Sequence, residues 1–429
     1  MFRLILILFC LAGILPASAQ QAADALAPEA STGLRPATET PPVRAKDWMI
    51  SAANPLAARA GARILREGGT AADAMIATQA VLGLVEPQSS GLGGGAFLVW
   101  YDGRDGTLTT LDGRETAPAA VTPQLFQDES GAPLKFFDAV IGGLSVGTPG
   151  TPALLDAAHR RWGRANWGGL FDDAIALAEN GFEVSPRLAS LVARDAERLA
   201  TFAPTRSYFL PGGNPIQSGG TLKNPAYGAT LRRLATEGSS TFYSGPIAED
   251  IVSTARDALG KPGTLSLQDL DAYTVKEREA VCASYRLMEV CGMGPPSSGG
   301  LTVGQILGLL DRVDLGALGP DNPRAWRLIG DASRLAFADR GRYMADSDFV
   351  PVPTKGLIDP AYLEERAKLL TGDDALPVVI PGTPAFDHAL LWADDASIEL
   401  PSTSHISIVD RYGNALSMTT TIENAFGSR

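Results

Sequence analysis

Histidine is scarce in this 429-residue chain, which has only His159, His388 and His405. No two are spaced to share a metal, so the chain is expected to work with neither metal nor cofactor. Cysteine is as rare: Cys10, Cys282 and Cys291 are the full set. Neither Cys282 nor Cys291 has a nearby histidine in sequence, which argues against a thiolate nucleophile. Positive charge is also short. The 36 Lys and Arg stand against 48 Asp and Glu, leaving a net charge of -12. Such a chain lacks the electrostatic footprint for nucleic acid or anionic lipid. The apolar run Leu4–Leu15 is too short to span a bilayer comfortably, and no other stretch approaches that length. Phosphate-loop patterns are missing too. Gly91–Gly95 (GLGGG) and Pro296–Gly300 (PSSGG) are glycine-rich, but neither fits a nucleotide-binding spacing and no lysine sits in place. Close backbone packing is the better account of both.

What is present is globular. Hydrophobic residues make up 45% and charged residues 20%, enough for a large core. The 46 glycines and 30 prolines predict many tight turns. Residues 1–19 read as a secretory signal: Arg3, an apolar stretch, then Ala17-Ser18-Ala19 as the cleavage site. The mature protein is therefore expected to be soluble and periplasmic or secreted. Phe9, where a small residue would be needed, speaks against a lipid anchor on Cys10. Residues 20–45 lack apolar periodicity and read as a mobile tether. Export permits a disulfide between Cys282 and Cys291, which flank two short strands turning near Arg286. A bridge and two buried thiols both remain open, because sequence does not fix Cα spacing.

From Trp48 onward the pattern sharpens. Residues 54–69 read as a helix closed by Gly68-Gly69. A second helix starts at a Thr70–Asp73 capping box and carries an apolar stripe through Ile76, Ala80 and Leu84, widened by Ala77 and Val81, and its many alanines predict close packing inside a core. Residues 96–111 read as a hairpin, 150–260 as mainly helical, and 276–294 as strands. Two further helices follow, over 299–313 and 322–344. Residues 371–402 carry four prolines and many acids and read as a long exposed connector. A hairpin turning at Asp410–Asn414 closes the chain. Helices and hairpins without regular βα alternation predict an α+β fold, with antiparallel sheets between helix layers.

Two stretches invite a nucleophile. Gly143-Leu144-Ser145-Val146-Gly147 fits G-x-S-x-G, but that motif needs a helix directly behind the serine. Pro149, Gly150 and Pro152 are expected to spoil it. The other stretch is Pro401-Ser402-Thr403-Ser404, at the mouth of the last hairpin. Cutting the Ser402–Thr403 bond would give Thr403 both a hydroxyl and a free α-amine. An α-amine titrates near ~7.7–8.0 and can accept the hydroxyl proton. One residue then supplies nucleophile and base. If Val409 pairs with Ala415, Thr403 lies opposite Thr421, with Thr419 and Glu423 on the Thr421 face. A one-residue slip would undo this. The plainer account is that Thr419, Thr420 and Thr421 are ordinary β-formers.

The segment TSHISIVDRYGNALSMTTTIENAFGS resembles the start of the small subunit of γ-glutamyltransferases, the glutathione-hydrolysing members of the N-terminal-nucleophile (Ntn) hydrolase superfamily. The likeness covers nearly the whole mature chain and keeps the family order. It includes SAANPLAARAGARILREGGTAADA, LGLVEPQSSGLGGGAFLVWYD, LDGRETAP, SVGTPGTPALL, EGSSTFYSGPIAEDIV, GPPSSGG, DASRLAFADRGRYMAD and LIDPAYL. The resemblance implies an αββα sandwich, a large-subunit region over 46–402, and a small subunit beginning at 403–429. It implies cleavage between Ser402 and Thr403, with Thr403 as nucleophile and Thr421 supporting it. Arg114 would bind the substrate α-carboxylate, a match for its planar fork. Glu423 would receive the α-ammonium. Substrates would be glutathione and other γ-glutamyl compounds, with water, amino acids or peptides as acceptors. Ser404 stands where threonine is common.

The chain stops at Arg429, short of the family's further α-amino ligands, its Ser-Ser pair and its Gly-Gly oxyanion donors. It is therefore expected to be a truncated sequence that does not turn over alone. The rival readings are a related acylase taking glutaryl, cephalosporin or poly-γ-glutamate substrates, and a non-catalytic exported binding protein of the same fold. Glutaryl compounds lack the α-amino group, so Glu423 speaks against them.

Overall fold

The computed structural model describes residues 42–386, 394–395 and 402–429. The signal segment, most of the tether, Cys10, His388 and much of the distal connector lie outside the described residues.

Strand β1 (Met49–Ala52) leads into helix α1 (Pro55–Arg66). Asn54 caps that helix by accepting from the Leu56 N–H, and Pro55 fills the first turn, where a missing N–H costs nothing. Helix α2 (Ala71–Val85) starts at the predicted capping box, with both reciprocal bonds formed. The predicted apolar stripe through Ile76, Ala80 and Leu84 lies in the core. Every α2 residue except Gly83 is buried, Asp73, Thr78 and Gln79 included, so the helix runs through the centre of the core. Its small alanines let neighbours close in on every side.

Strands β2 (Gly95–Tyr101) and β3 (Leu108–Gly113) form the next hairpin. Helix α3 (Thr151–Trp162) follows. Strand β4 (Lys276–Arg278) precedes a separate hairpin, β5 (Ala280–Tyr285) and β6 (Met288–Met293). That hairpin turns at Arg286, which adopts a left-handed φ of 56°, and a disulfide joins its facing residues Cys282 and Cys291. Helices α4 (Gly299–Leu310), α5 (Pro323–Tyr343) and α6 (Pro360–Ala367) build a second apolar cluster around Leu309, Leu328 and Leu335. The chain ends in strands β7 (Thr403–Val409) and β8 (Ala415–Thr421).

Six strands make one antiparallel sheet in the order β1-β7-β8-β2-β3-β4. Side chains alternate across it. Ile406, Ile408, Leu416 and Met418 face inward and join Met75, Ile76 and Leu98 in the main core. Trp100 stacks on Trp162 of α3, with ring centroids 4.6 Å apart. On the opposite face Met49, Tyr101 and Val409 are 38%, 43% and 47% exposed. This mixed helix and antiparallel-sheet architecture agrees with the predicted α+β class.

The described half of the connector is exposed, as expected, but it is also tied down. Asp331 accepts the Leu376 N–H, Asp339 accepts the Gly382 N–H at 2.7 Å, and the Tyr343 hydroxyl donates to the Gly382 carbonyl at 2.6 Å.

Candidate active site

The last hairpin has the predicted register: Val409 faces Ala415 and Thr403 faces Thr421. Its turn explains why. The Asp410 N–H donates to the Asn414 carbonyl, and one Asp410 oxygen accepts from the N–H groups of Tyr412 and Asn414. The other oxygen accepts from the Ala71 N–H at the start of α2, where the helix dipole favours a carboxylate. Gly413 supplies the positive φ of 83° that the turn needs. A slip would break all of these bonds at once.

At the open end of the hairpin the Ser402 side chain is buried and donates to the Gln88 carbonyl at 3.0 Å. The Phe426 N–H donates to the same carbonyl, which draws the two strand ends together. Thr403 is exposed. Thr421 is buried; its hydroxyl donates to the Ser402 carbonyl at 3.1 Å and accepts from the Glu423 N–H at 2.9 Å. The glycine run fits beneath this point. A Cβ on Gly94 would sit 2.0 Å from the Thr421 carbonyl oxygen, and one on Gly95 would meet the Glu115 carboxylate. Close backbone packing is thus what Gly94 and Gly95 provide.

Arg114 emerges just after β3, and its Nη2 meets Glu423 Oε2 at 2.9 Å. Glu423 adopts a left-handed φ of 69° past the end of β8, and its side chain is 75% exposed. Glu115 lies 3.5 Å from Arg114 Nε, and burial pushes its carboxyl above the ordinary carboxylate range against the pull of that guanidinium. His405 lies on the outer sheet face. Its Nδ1 pairs with the Thr419 hydroxyl at 2.9 Å and its Nε2 with the Ser417 hydroxyl at 3.2 Å. Burial lowers its pKa, so it stays neutral at neutral pH.

A cavity of about 640 Å³ opens beside this group. Phe97, Arg114, Glu115 and Thr419 line one side, and Met293, Pro296–Gly300 and Arg340 the other. Of the residues predicted from sequence, Arg114 lines it; Thr403, Thr421 and Glu423 gather beside it. Sequence reasoning gave Pro296–Gly300 a packing role only. Gly300 does pack closely, since a Cβ there would meet the Met293 carbonyl at 2.8 Å, but the segment is also a cavity wall. Glu115 and Phe97 were not anticipated. The available signal was an acid directly beside the one arginine singled out.

Ser145 is exposed and donates to the Val140 carbonyl. No helix follows it directly, since α3 starts only at Thr151. Pro152 sits in the first turn of α3, where a missing N–H costs nothing. Among the described residues Cys282, Glu289 and Cys291 bring ligand-type atoms together, but the two sulfurs are bonded to each other. No described helix is long and apolar enough to cross a membrane.

Helices packed on an antiparallel sheet, with a Ser–Thr peptide bond at the mouth of a central strand and a second threonine hydroxyl on its carbonyl, define an Ntn-hydrolase architecture. Residues 57–429 match the gamma-glutamyltranspeptidase family model, and the chain belongs to that family. It is 36% identical to the glutathione hydrolase proenzyme of Bacillus subtilis (strain 168) over 89% of this chain. It is 34% identical to the acylase ACY 1 proenzyme of Pseudomonas sp. (strain V22) over 91% of this chain and 68% of that protein. The crystal structure of Helicobacter pylori gamma-glutamyltranspeptidase superposes with a TM-score of 0.76 at 34% identity, covering 80% of this chain and 97% of that one. The chain spans 65% of the length of the B. subtilis relative.

Proposed function

We propose that this chain is the self-cleaving precursor part of a γ-glutamyl hydrolase and transferase. The observation that carries the proposal is the Thr421 hydroxyl on the Ser402 carbonyl, directly across the strand pair from Thr403. In the precursor, Thr403 Oγ attacks the Ser402 carbonyl carbon while Thr421 stabilises the oxygen that gains charge. The C–N bond breaks, the acyl group moves to the hydroxyl as an ester, and the α-amine is released. Water then hydrolyses the ester, leaving Ser402 as a carboxyl terminus and Thr403 as an amino terminus. Residues 46–402 thereby become the large subunit, and the small subunit begins at Thr403.

In turnover the freed amine takes the Thr403 hydroxyl proton, and the oxygen attacks a γ-glutamyl amide. The leaving amine collects that proton. Water, or the amine of an amino acid or peptide, resolves the acyl-enzyme. Arg114 and Glu423 read the zwitterionic head of the donor. Their mutual ion pair is 42% and 75% exposed, so parting it costs only about 0–1 kcal/mol. Each ion then finds a substrate partner of the right sign. Glutathione is the natural donor on this reading, and an exported, periplasmic or secreted location follows from the leader read at residues 1–19.

Intact-mass analysis of the complete gene product tests the proposal. Wild type should yield two fragments, the second starting Thr-Ser-His, and Thr403→Ala one uncut chain. Uncut wild type would end the proposal in favour of a non-catalytic binding protein. The likeness to ACY 1 acylase keeps one rival alive. Glutaryl-p-nitroanilide cleaved faster than its γ-glutamyl counterpart would favour the acylase.

A further inference from the structure

Arg114 is held by its backbone as well as its side chain. Its N–H donates to Asp112 Oδ1 at 2.9 Å. The second Asp112 oxygen accepts from Arg278 Nε at 2.7 Å, and Asp112 is buried. On the other side of the residue, the Tyr273 hydroxyl donates to the Arg114 carbonyl at 2.7 Å. These two bonds fix both peptide groups flanking the Arg114 Cα.

The seat of the Tyr273 hydroxyl is specific. A Cβ on Gly150 would lie 2.0 Å from that oxygen and 2.1 Å from the Gly113 carbonyl oxygen. Only glycine leaves room for the phenol there. The Tyr273 ring stacks on Tyr243 with an interplanar angle of 9°. Tyr243 is itself pinned, donating to the Pro149 carbonyl at 2.9 Å and accepting from the Ala153 N–H at 3.1 Å. The chain of contacts runs from the start of α3 through two stacked rings to the peptide group of Arg114. Burial pushes the Tyr273 phenol far above its ordinary pKa, so it remains a donor throughout the working range of pH.

We infer that Tyr273 is a positioning residue for Arg114, setting the backbone from which the guanidinium reaches a substrate carboxylate. The inference rests on the reading of Arg114 given under Proposed function. A bidentate grip on a carboxylate tolerates little angular error. A loosened Arg114 would lose affinity for the carboxylate equally in ground and transition states. KM should then rise with little change in kcat.

The test compares two donors in the complete gene product: L-γ-glutamyl-p-nitroanilide and 4-aminobutyryl-p-nitroanilide, which lacks the α-carboxylate. Tyr273→Phe should raise KM for the glutamyl donor roughly five- to tenfold, the size of one lost hydrogen bond. It should narrow the kcat/KM ratio between the two donors by the same factor. A merely structural role would depress both donors together and leave the ratio alone. Arg114→Lys separates the two levels of the claim. If it collapses the ratio while Tyr273→Phe leaves it intact, the positioning role is wrong and the functional reading survives. If Arg114→Lys also leaves the ratio intact, the reading of Arg114 falls and the inference with it. Insoluble Tyr273→Phe protein would overturn the inference too, because the hydroxyl would then be holding the fold and not one side chain.

Discussion

A threonine hydroxyl has one proton to give, and at Thr421 its direction is set. The oxygen accepts from the Glu423 N–H, so the proton points to the Ser402 carbonyl. Thr421→Val keeps the shape and removes that donor. Cleavage of the precursor should slow by roughly a hundredfold, the usual cost of one oxyanion donor, while Thr421→Ser retains most of the rate. The half-life of the uncut chain on a denaturing gel measures both. Glu115 offers a prediction of opposite electrostatic sense. Its folded pKa is raised by burial, so the folded state holds its proton to higher pH than the unfolded state does. Stability should therefore fall as pH rises from the ordinary carboxylate range through the folded value, and stay lower above it. Glu115→Gln should flatten that slope, read from thermal midpoints between about pH 4 and pH 7. A slope that persists unchanged in Glu115→Gln would show that another group carries it.

At the scale of elements, the final hairpin was the most legible part of the sequence. Alternating Ile406 and Ile408 against Leu416 and Met418 mark the buried face, and the Asp410–Asn414 turn leaves one register that buries them all. Arg114 and Glu423 could be singled out, but their mutual contact could not, because it depends on a left-handed φ at a glutamate. The apolar stripe of helix α2 was legible too, and only its full extent was hidden. Alanine gives weak periodicity, so burial on every side looks like a stripe. The glycine run was readable only as packing; its partner became visible once β2 and β8 were seen side by side. That partner makes a sharp prediction. Gly94→Ala places a methyl against the Thr421 backbone carbonyl, which cannot yield without parting β2 from β8. The cost should be roughly 2–3 kcal/mol, seen as a lower urea midpoint with an unchanged m-value.

Over the whole molecule the apolar residues divide. The main cluster joins α1, α2, α3, the sheet and apolar residues between Leu170 and Phe242, while α4, α5 and α6 enclose a separate one. The described connector belongs with the second, strapped across α5 by Asp331 and Asp339. Asp339 is 1% exposed and takes bonds from Gln305, Tyr362, Gly382 and Arg366. Arg366 also donates to the carbonyls of Leu335 and Ile380, so one guanidinium ties helix α6, helix α5 and the strap together. Arg366→Ala leaves a buried carboxylate without its counter-charge. The expected loss is about 3 kcal/mol, toward the lower end for a broken buried pair because four hydrogen-bond donors become three rather than none. Since α5 and α6 pack in their own cluster, that loss should stay local. Hydrogen exchange should show amides of α5, α6 and residues 376–382 opening faster in Arg366→Ala, with β7 and β8 protected as in wild type. Faster exchange in the sheet as well would mean that the two clusters unfold as one unit and that the strap is part of the frame holding Thr403.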